Sequence, residues 1–325
     1  MKLAYALLTM LADGRFHSGT ELGEKTGRTR AAVWKAIQSL QESGLEIFSV
    51  RGKGYRLAEP VELLNRESIL EHMDETARPY LTGLEIFDVI DSTNAYLLEL
   101  AKQGEATGHA CLAEQQHAGR GRRGRNWISP PGGNVYLSLL WRFNAGATQL
   151  GGLSLAMGLA VTRALGEIGF EDARVKWPND ILFNNRKLGG ILLEMTGEAS
   201  GPCVVVAGIG LNVRAPEALM SAVEQDWTDL ESALANKVAR NRLVGHLLSH
   251  LIATVRQFEQ QGFPSFQREW NANHAFAGQE VELHLPGRRL RGIAQGVDQN
   301  GALLLAHDGK LQRFHSGEVS LRART

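Results

Sequence analysis

Cysteine is scarce in this chain. The two residues, Cys111 and Cys203, lie far apart and form no CxxC pair. That argues against a disulfide or zinc framework and suits a reducing cytoplasm. Long apolar runs are also missing: none approaches the roughly 18 residues that a membrane helix needs. The opening stretch MKLAYALLTMLADGRF is charged too soon to span a bilayer and lacks a small-residue cleavage site, so no secretory signal is expected. Net charge is absent too. Lys+Arg and Asp+Glu number 35 each, which speaks against whole-surface nucleic-acid binding but leaves room for a local basic patch. Neither a GxxxxGKS/T phosphate loop nor a GxSxG or HExxH motif occurs.

What is present is enough chain for two or three domains, at 325 residues. Hydrophobic residues make up 43% and charged residues 22%, as in a soluble globular protein. Residues 1–60 read as the first domain. Leu3, Leu7, Leu8 and Leu11 recur at helical spacing, with Gly14 as the stop. Ser18 with Glu21 predicts a capping box opening a second helix that Gly27 ends. Thr29 caps a third helix with Val33, Ile37 and Leu40 on one face and Gly44 past its end. "LEIFSV", the basic turn "RGKG" and "YRL" then predict a hairpin. Three helices and a basic hairpin make a winged helix-turn-helix pattern. Residues 1–58 hold nine basic against five acidic side chains. The DNA-facing candidates are Arg28, Thr29, Arg30 and Lys35 at the third helix, with Arg51 and Lys53 on the wing. A protein-contact domain with a solvated charged face is the alternative; agreement of cap, turn and wing favours DNA. Modest affinity per module points to a dimer on two half-sites. "AEPVELLNRESI" around Pro60 reads as a linker.

Residues 61–274 read as a mixed domain. "GRGRRG", Gly119 to Gly124, matches GxGxxG and follows the strand-like "HACLAEQQ". "RNWISPPGGN" comes next and cannot open a helix, so a Rossmann dinucleotide site is rejected. The glycines let backbone approach a ligand, and the arginines pair with anionic oxygens; a phosphate or carboxylate is expected. The alternative is a surface turn with solvated charges. Asp91-Ser92-Thr93-Asn94 sits between a strand and a helix, with Ser92 or Thr93 as cap and the helix N-terminus as a polar-ligand site. "RVKWPNDILFNNRKLGGILLEMTG" predicts a strand, a Pro-Asn-Asp turn, a hairpin through Asn184-Asn185, and a strand from Gly189. Strands without βαβ repetition predict an α+β sheet. Trp127 and Trp141 are assigned to the core, and Trp177-Pro178 reads equally as a packed turn. His109, His117 and His274 have no ligand-like spacing. Residues 231–271 read as one or two helices. Residues 275–325 are short strands with turns at Pro286-Gly287, Asn300-Gly301 and Asp308-Gly309, which fit a small SH3-like β-barrel.

"STN", "QQHAGRGRRGRNW", "VKWPND", "RKLGGIL" and "GIGLN", in this order, resemble the biotin protein ligases. With the winged helix in front, the whole chain resembles the bifunctional bacterial form, a ligase that is also the biotin-operon repressor. The resemblance implies a central domain like the class II synthetases. It implies that biotin and MgATP give biotinyl-5′-AMP, and that a lysine of a biotin carboxyl carrier protein then takes the acyl group. It assigns Ser92, Thr93, Asn94, Gln116, Arg120, Gly121, Arg122 and Lys187 to biotin. Arg122 and Lys187 are the catalytic pair, acting on carboxyl and phosphate. Lys176, Asn179, Asp180, Asn212 and Trp227 go to the nucleotide, Asp180 also to Mg²⁺, and Arg322 to the triphosphate. Asn126 stands where close relatives are expected to carry lysine or arginine. Biotinyl-5′-AMP is implied as corepressor, operator DNA as partner, a homodimer as the loaded state, and the cytoplasm as location. Two rival expectations keep the fold. One is a ligand-sensing transcription factor with an inactive ligase domain. The other is a ligase for lipoate or octanoate.

Overall fold

The computed structural model describes residues 2–197, 200–220, 223, 225–285, 287–315 and 320–323, with Lys2 and 320–323 by backbone alone. The first domain is α1 (Lys2–Leu11), α2 (Gly19–Thr26), α3 (Arg30–Glu42) and the antiparallel hairpin β1 (Ile47–Val50) and β2 (Gly54–Leu57). Ser18 Oγ accepts the Glu21 amide at 3.0 Å. The other half of the expected box does not form. Glu21 turns instead to His17 Nδ1 at 3.1 Å and Lys25 Nζ at 2.8 Å, which compete for its carboxylate with the Ser18 amide. Gly27, at φ +64°, ends α2, and Thr29 Oγ1 caps α3. Leu7, Leu8, Leu11, Leu22, Val33, Ile37, Leu40, Ile47 and Leu57 form a core of their own.

The expected linker is not a free tether. Glu114, fully buried, accepts the Leu64 amide and pairs with Arg240 at 2.8 Å. Arg240 also donates to the Glu62 carbonyl at 2.8 Å, and Asn241 takes the Asn65 amide at 2.8 Å. The reason is elementary. A buried carboxylate needs partners, and the linker backbone supplies one of them. After it come α4 (Arg66–Glu71), β3 (Gly83–Ile90), α5 (Thr93–Lys102), β4 (His109–Gln116), β5 (Val135–Phe143) and α6 (Leu153–Glu167). Next are β6 (Arg174–Lys176), β7 (Asp180–Phe183), β8 (Arg186–Gly197), β9 (Cys203–Leu211), α7 (Glu217–Met220), α8 (Leu230–Leu234), α9 (Arg240–Gln261) and α10 (Pro264–Ala272).

The central sheet runs β3-β4-β5-β9-β8-β7-β6. β3 and β4 are parallel through α5, and every other neighbouring pair is antiparallel. α5 covers one face, its Leu97 and Ala101 packing with Cys111, Leu140 and Val206 of the sheet. α6 and α9 cover the other. A parallel pair sends both strand ends the same way, so the ends of β3 and β4 lie side by side. Lys176 ends β6, Asp180 opens β7 and Lys187 is the second residue of β8. β8 begins at Arg186, earlier than the expected Gly189. Asn184 and Asn185, at φ +48° and +62°, make the turn so tight that pairing starts at once.

The last sheet holds β10 (Glu280–Leu285), β11 (Arg288–Val297), β12 (Leu303–His307), β13 (Lys310–Phe314) and β14 (Ser320–Ala323). It is antiparallel in the order β13-β12-β11-β10-β14, an SH3-like sheet whose edges are not joined to each other among the described residues. Asn300-Gly301 and Asp308-Gly309 turn as expected, with Gly301, Asp308 and Gly309 all at positive φ. Of the third turn, Pro286 lies outside the described residues. Val281, Leu283, Leu303 and Leu305 join the same buried cluster as α6 and α9, so this sheet is fused to the central domain. Trp177 sits fully buried at that seam, its indole Nε1 donating to the Gly301 carbonyl at 3.1 Å. Among the described residues no helix is long and apolar enough to cross a membrane.

Candidate active site

A cleft of about 600 Å³ opens at the strand ends. Ser92, Thr93, Asn94, Gln116, Arg120, Gly121, Arg122, Lys176, Asn179, Asp180, Lys187, Asn212 and Trp227 all line it. Of the expected ligand residues, only Arg322 is not placed there; its side chain lies outside the described residues.

One end of the cleft is lined by the neutral polar groups of Ser92, Thr93, Asn94 and Gln116, backed by the Arg120–Glu194 ion pair. Ser92 Oγ caps α5 by accepting from the Ala95 amide at 3.4 Å. The Thr93 amide donates to Gln116 Oε1 at 2.9 Å, joining the parallel ends of β3 and β4. Ser138, buried on β5, donates to Asn94 Oδ1 at 2.6 Å and lies 2.7 Å from Thr93 Oγ1. Asn94 Nδ2 reaches Glu194 Oε2 at 2.9 Å, and Arg120 pairs with the other oxygen of that carboxylate at 3.0 Å. A polar ligand end finds fixed donors and acceptors here. Gly208 is required by this network: a Cβ there would stand 2.3 Å from Asn94 Oδ1.

The glycine-arginine segment is a tight reverse loop with a single 3-10 turn at Arg122–Gly124 and no α-helix. The Gly121 amide donates to the Arg125 carbonyl at 2.7 Å, and the Trp127 amide to the Gly119 carbonyl at 2.8 Å. A Cβ at Gly119 would lie 2.4 Å from the Trp127 carbonyl, so glycine is needed for that approach. The loop sorts its arginines. Arg123, Arg125 and Asn126 are exposed, whereas Arg122 turns inward to Asn179 Oδ1 at 3.2 Å. Burial, then the neighbouring Arg123, lowers the pKa of Arg122, which marks an environment that wants an anion.

The charged end is a shared carboxylate. Asp180 Oδ1 lies 2.8 Å from Lys187 Nζ, and Oδ2 lies 3.2 Å from Lys176 Nζ. Burial alone would push the Asp180 carboxyl up; the two ammonium groups more than offset it and hold it below its ordinary value. Trp227 closes this side. The Lys187 amide donates to the Asp226 carbonyl at 2.8 Å and the Thr228 amide to the Lys187 carbonyl at 2.9 Å, a short parallel bridge. Asn212 is buried, and its Nδ2 donates to the Thr228 carbonyl at 3.1 Å, so it fastens the Trp227 segment.

Trp127 corrects an expectation. It is half-buried in the cleft wall and not in the core, with Lys187 Nζ 5.5 Å from its ring centre. It comes close to β9 because Gly210 has no side chain; a Cβ there would be 2.4 Å from the indole. Its Nε1 is buried with no hydrogen-bond partner among the described residues. Trp141, by contrast, is core as expected, at 6% exposure. Ser138 and Glu194 were not singled out from sequence. A lone serine inside the apolar run "VYLSLLW" was the available signal for the first.

In the winged domain Arg28, Thr29, Arg30, Arg51 and Lys53 are exposed together with the wing. Lys35 is exposed as well, with a second neighbourhood. It lines a cleft of about 360 Å³ between α3 and the central domain, beside Tyr5, Asp88 and His117. Helical rotation from Arg30 to Lys35 carries it to another face.

Comparisons with known proteins agree on the whole length. The profile of the Biotin/lipoate A/B protein ligase family matches residues 86–212. An HTH domain profile matches residues 4–56, and the Biotin protein ligase C terminal domain matches residues 276–322. The chain is 42% identical over 318 residues to the bifunctional ligase/repressor BirA of Escherichia coli, covering 98% of this chain and 96% of that one. It is 31% identical to the Bacillus subtilis protein of the same name, over 95% of each. Among solved structures, a biotin protein ligase from Aquifex aeolicus in complex with biotin and ATP aligns at a TM-score of 0.63 and 28% identity. That match covers 75% of this chain and all of the other.

Proposed function

This chain belongs to the biotin protein ligase family, in its bifunctional ligase/repressor form, and from that premise we propose how its own residues divide the work. The protein is an ATP-dependent biotin protein ligase and a transcriptional repressor. The observation that carries the reading is a single cleft with a neutral polar end, an inward Arg122, and two lysines on one carboxylate.

Biotin binds with its ring system at Ser92, Thr93, Asn94 and Gln116, against Trp127, and with Arg120 and Gly121 folded over it. Its carboxylate then points to Arg122 and Lys187. A carboxylate oxygen attacks the α-phosphorus of ATP; the bond to the β-phosphate oxygen breaks and pyrophosphate leaves. Lys187 leaves Asp180 for the reacting oxygens and offsets their charge. Asp180 is not stranded, because Lys176 stays on it. In the second half-reaction a neutral lysine amine of the carrier protein attacks the acyl carbon. The acyl–phosphate C–O bond breaks, AMP departs, and the amine loses one proton. Asn179 and Lys176 face the nucleotide, Trp227 stacks toward adenine on a segment held by Asn212, and Arg322 approaches the triphosphate.

The residues do not fit a resident Mg²⁺ at Asp180. Before ATP arrives both its oxygens face ammonium groups, so Asp180 offers no open carboxylate to a metal that would reside there ahead of the nucleotide. Mg²⁺ therefore enters on the phosphates of ATP, and no step here is assigned to it. The carrier is the biotin carboxyl carrier protein, and the loaded chain acts as a homodimer on operator DNA in the cytoplasm. For the adenylate to act as corepressor it must favour the dimer by its own differential affinity.

ATP–pyrophosphate exchange with biotin, lipoate or octanoate as the only acid tests the ligase. Exchange with biotin alone is expected. No exchange with any acid, from folded protein, would turn the reading to a sensor. Operator affinity is expected to rise with biotin plus ATP and to fall steeply with salt. Binding indifferent to biotin would sink the coupling.

A further inference from the structure

The helix presented to DNA carries an unpartnered aromatic. Trp34 on α3 is 52% exposed, while Val33, Ile37 and Leu40 on the same helix are buried. Leaving an indole in water contributes nothing to folding, so Trp34 is free to serve a partner. Helical spacing sets Arg30 four residues before Trp34 and Gln38 four after, one stripe along the helix, and all three are exposed. The stripe is distinct from the face of Ala32, Lys35 and Ser39, which looks into the interdomain cleft.

The surroundings choose the partner. Arg28, Arg51 and Lys53 are exposed on the same module, and the one acidic residue on the line of the stripe, Glu42, stands at the far end of α3. A second copy would meet this basic surface with its own positive charge. Duplex DNA meets it with phosphates on both sides of a groove that admits a helix. Within that groove the apolar feature is the thymine C5-methyl group.

We propose that Arg30, Trp34 and Gln38 form the base-reading stripe of this chain, and that the Trp34 indole packs on a thymine methyl in the major groove. The inference rests on the DNA-binding reading above. Arg30 and Gln38 supply hydrogen bonds to base edges, and Trp34 supplies an uncharged contact that separates thymine from the other bases. An uncharged contact carries sequence preference and leaves the salt dependence to the phosphate-binding residues.

The test uses the full chain with biotin and ATP, and a pool of random-sequence DNA duplexes from which bound sites are selected and sequenced. The native chain is expected to select a site with a T·A position that Trp34→Ala no longer selects. On the native site the variant binds more weakly by on the order of tenfold or more, with an unchanged salt slope. Its affinity for non-specific DNA stays native, which reports a folded winged domain, and its biotin-dependent pyrophosphate exchange stays native, which reports a folded ligase domain. Trp34→Phe keeps a ring and part of the preference. Replacing the selected thymine by uracil weakens the native chain and leaves Trp34→Ala unmoved. Selection of the same site by both proteins overturns the proposal, as does uracil costing both equally. Loss of self-association with DNA preference intact overturns it too and assigns the stripe to a second copy. A native chain that selects no sequence overturns the DNA-binding reading itself, a distinguishable failure.

Discussion

Lys187 and Lys176 hold one carboxylate between them, at 2.8 and 3.2 Å. That arrangement stores a cation beside the reacting atoms without stranding an anion when it moves. Lys187→Ala is expected to lower biotin-dependent pyrophosphate exchange by about 100- to 1,000-fold, the size of losing one charge-stabilising donor. Biotin binding, followed by calorimetry, should persist; an equal loss of both would count against a role in the chemical step. His274 makes a second case at this scale. It is buried with neither ring nitrogen partnered among the described residues, and burial pulls its pKa from 6.5 to about 4. The unfolded chain takes up a proton near 6.5 and the folded chain only near 4. Stability is therefore full above pH 6.5 and falls as pH drops through that window, by up to about 3 kcal/mol. His274→Phe, which can keep the stacking on Trp270 at 4.8 Å, should flatten that slope in denaturation midpoints taken from pH 7 to 4.5. An unchanged slope would place the titration elsewhere.

Elements begin and end by local chemistry, and α2 shows how far one motif extends. Only the serine half of its capping box forms, because Glu21 is drawn to His17 and Lys25. Ser18→Ala should cost about 1 kcal/mol in thermal unfolding of the winged domain. Glu21→Gln should cost clearly less, since exposed ion pairs contribute little; equal costs would mean that the full box forms in solution. The linker is governed by β4 and α9. Arg240→Met leaves the fully buried Glu114 without its cation and should cost about 3–5 kcal/mol. Chemical denaturation measures it, and a loss under 1 kcal/mol would show that the Leu64 amide alone satisfies the carboxylate.

At the scale of the whole molecule, two cores are separate and a third unit is fused. The winged domain closes over its own leucines, whereas the last sheet shares its core with α6 and α9. None of the residues lining the substrate cleft precedes Ser92. Removal of residues 1–60 should therefore keep most pyrophosphate exchange at saturating biotin and abolish operator binding. Complete loss of exchange in a folded fragment would show that the interdomain cleft at Tyr5, Asp88 and His117 supports catalysis.

Most elements were legible in the sequence because their signals are short-range. Ser18, Gly27 and Thr29 cap and stop helices within one turn, and Asn184-Asn185 sets a hairpin by its own φ angles. That "GRGRRG" opens no α-helix is likewise local, forced by the prolines and glycines after it. The glycines of "GIGLN" gained a reason only in three dimensions, where Gly208 and Gly210 make room for Asn94 and Trp127. Trp127 as cleft wall, Ser138 beneath Asn94, and Glu114 as anchor of the linker depend on contacts between residues distant in sequence. So does the position of Lys35 over the interdomain cleft. By itself the amino-acid order determined which segments turn, cap and pair, and which ordered motifs the chain shares with its family. The tertiary structure alone decided which side chains meet, because burial and charge pairing are settled only when separate strands and helices share one space.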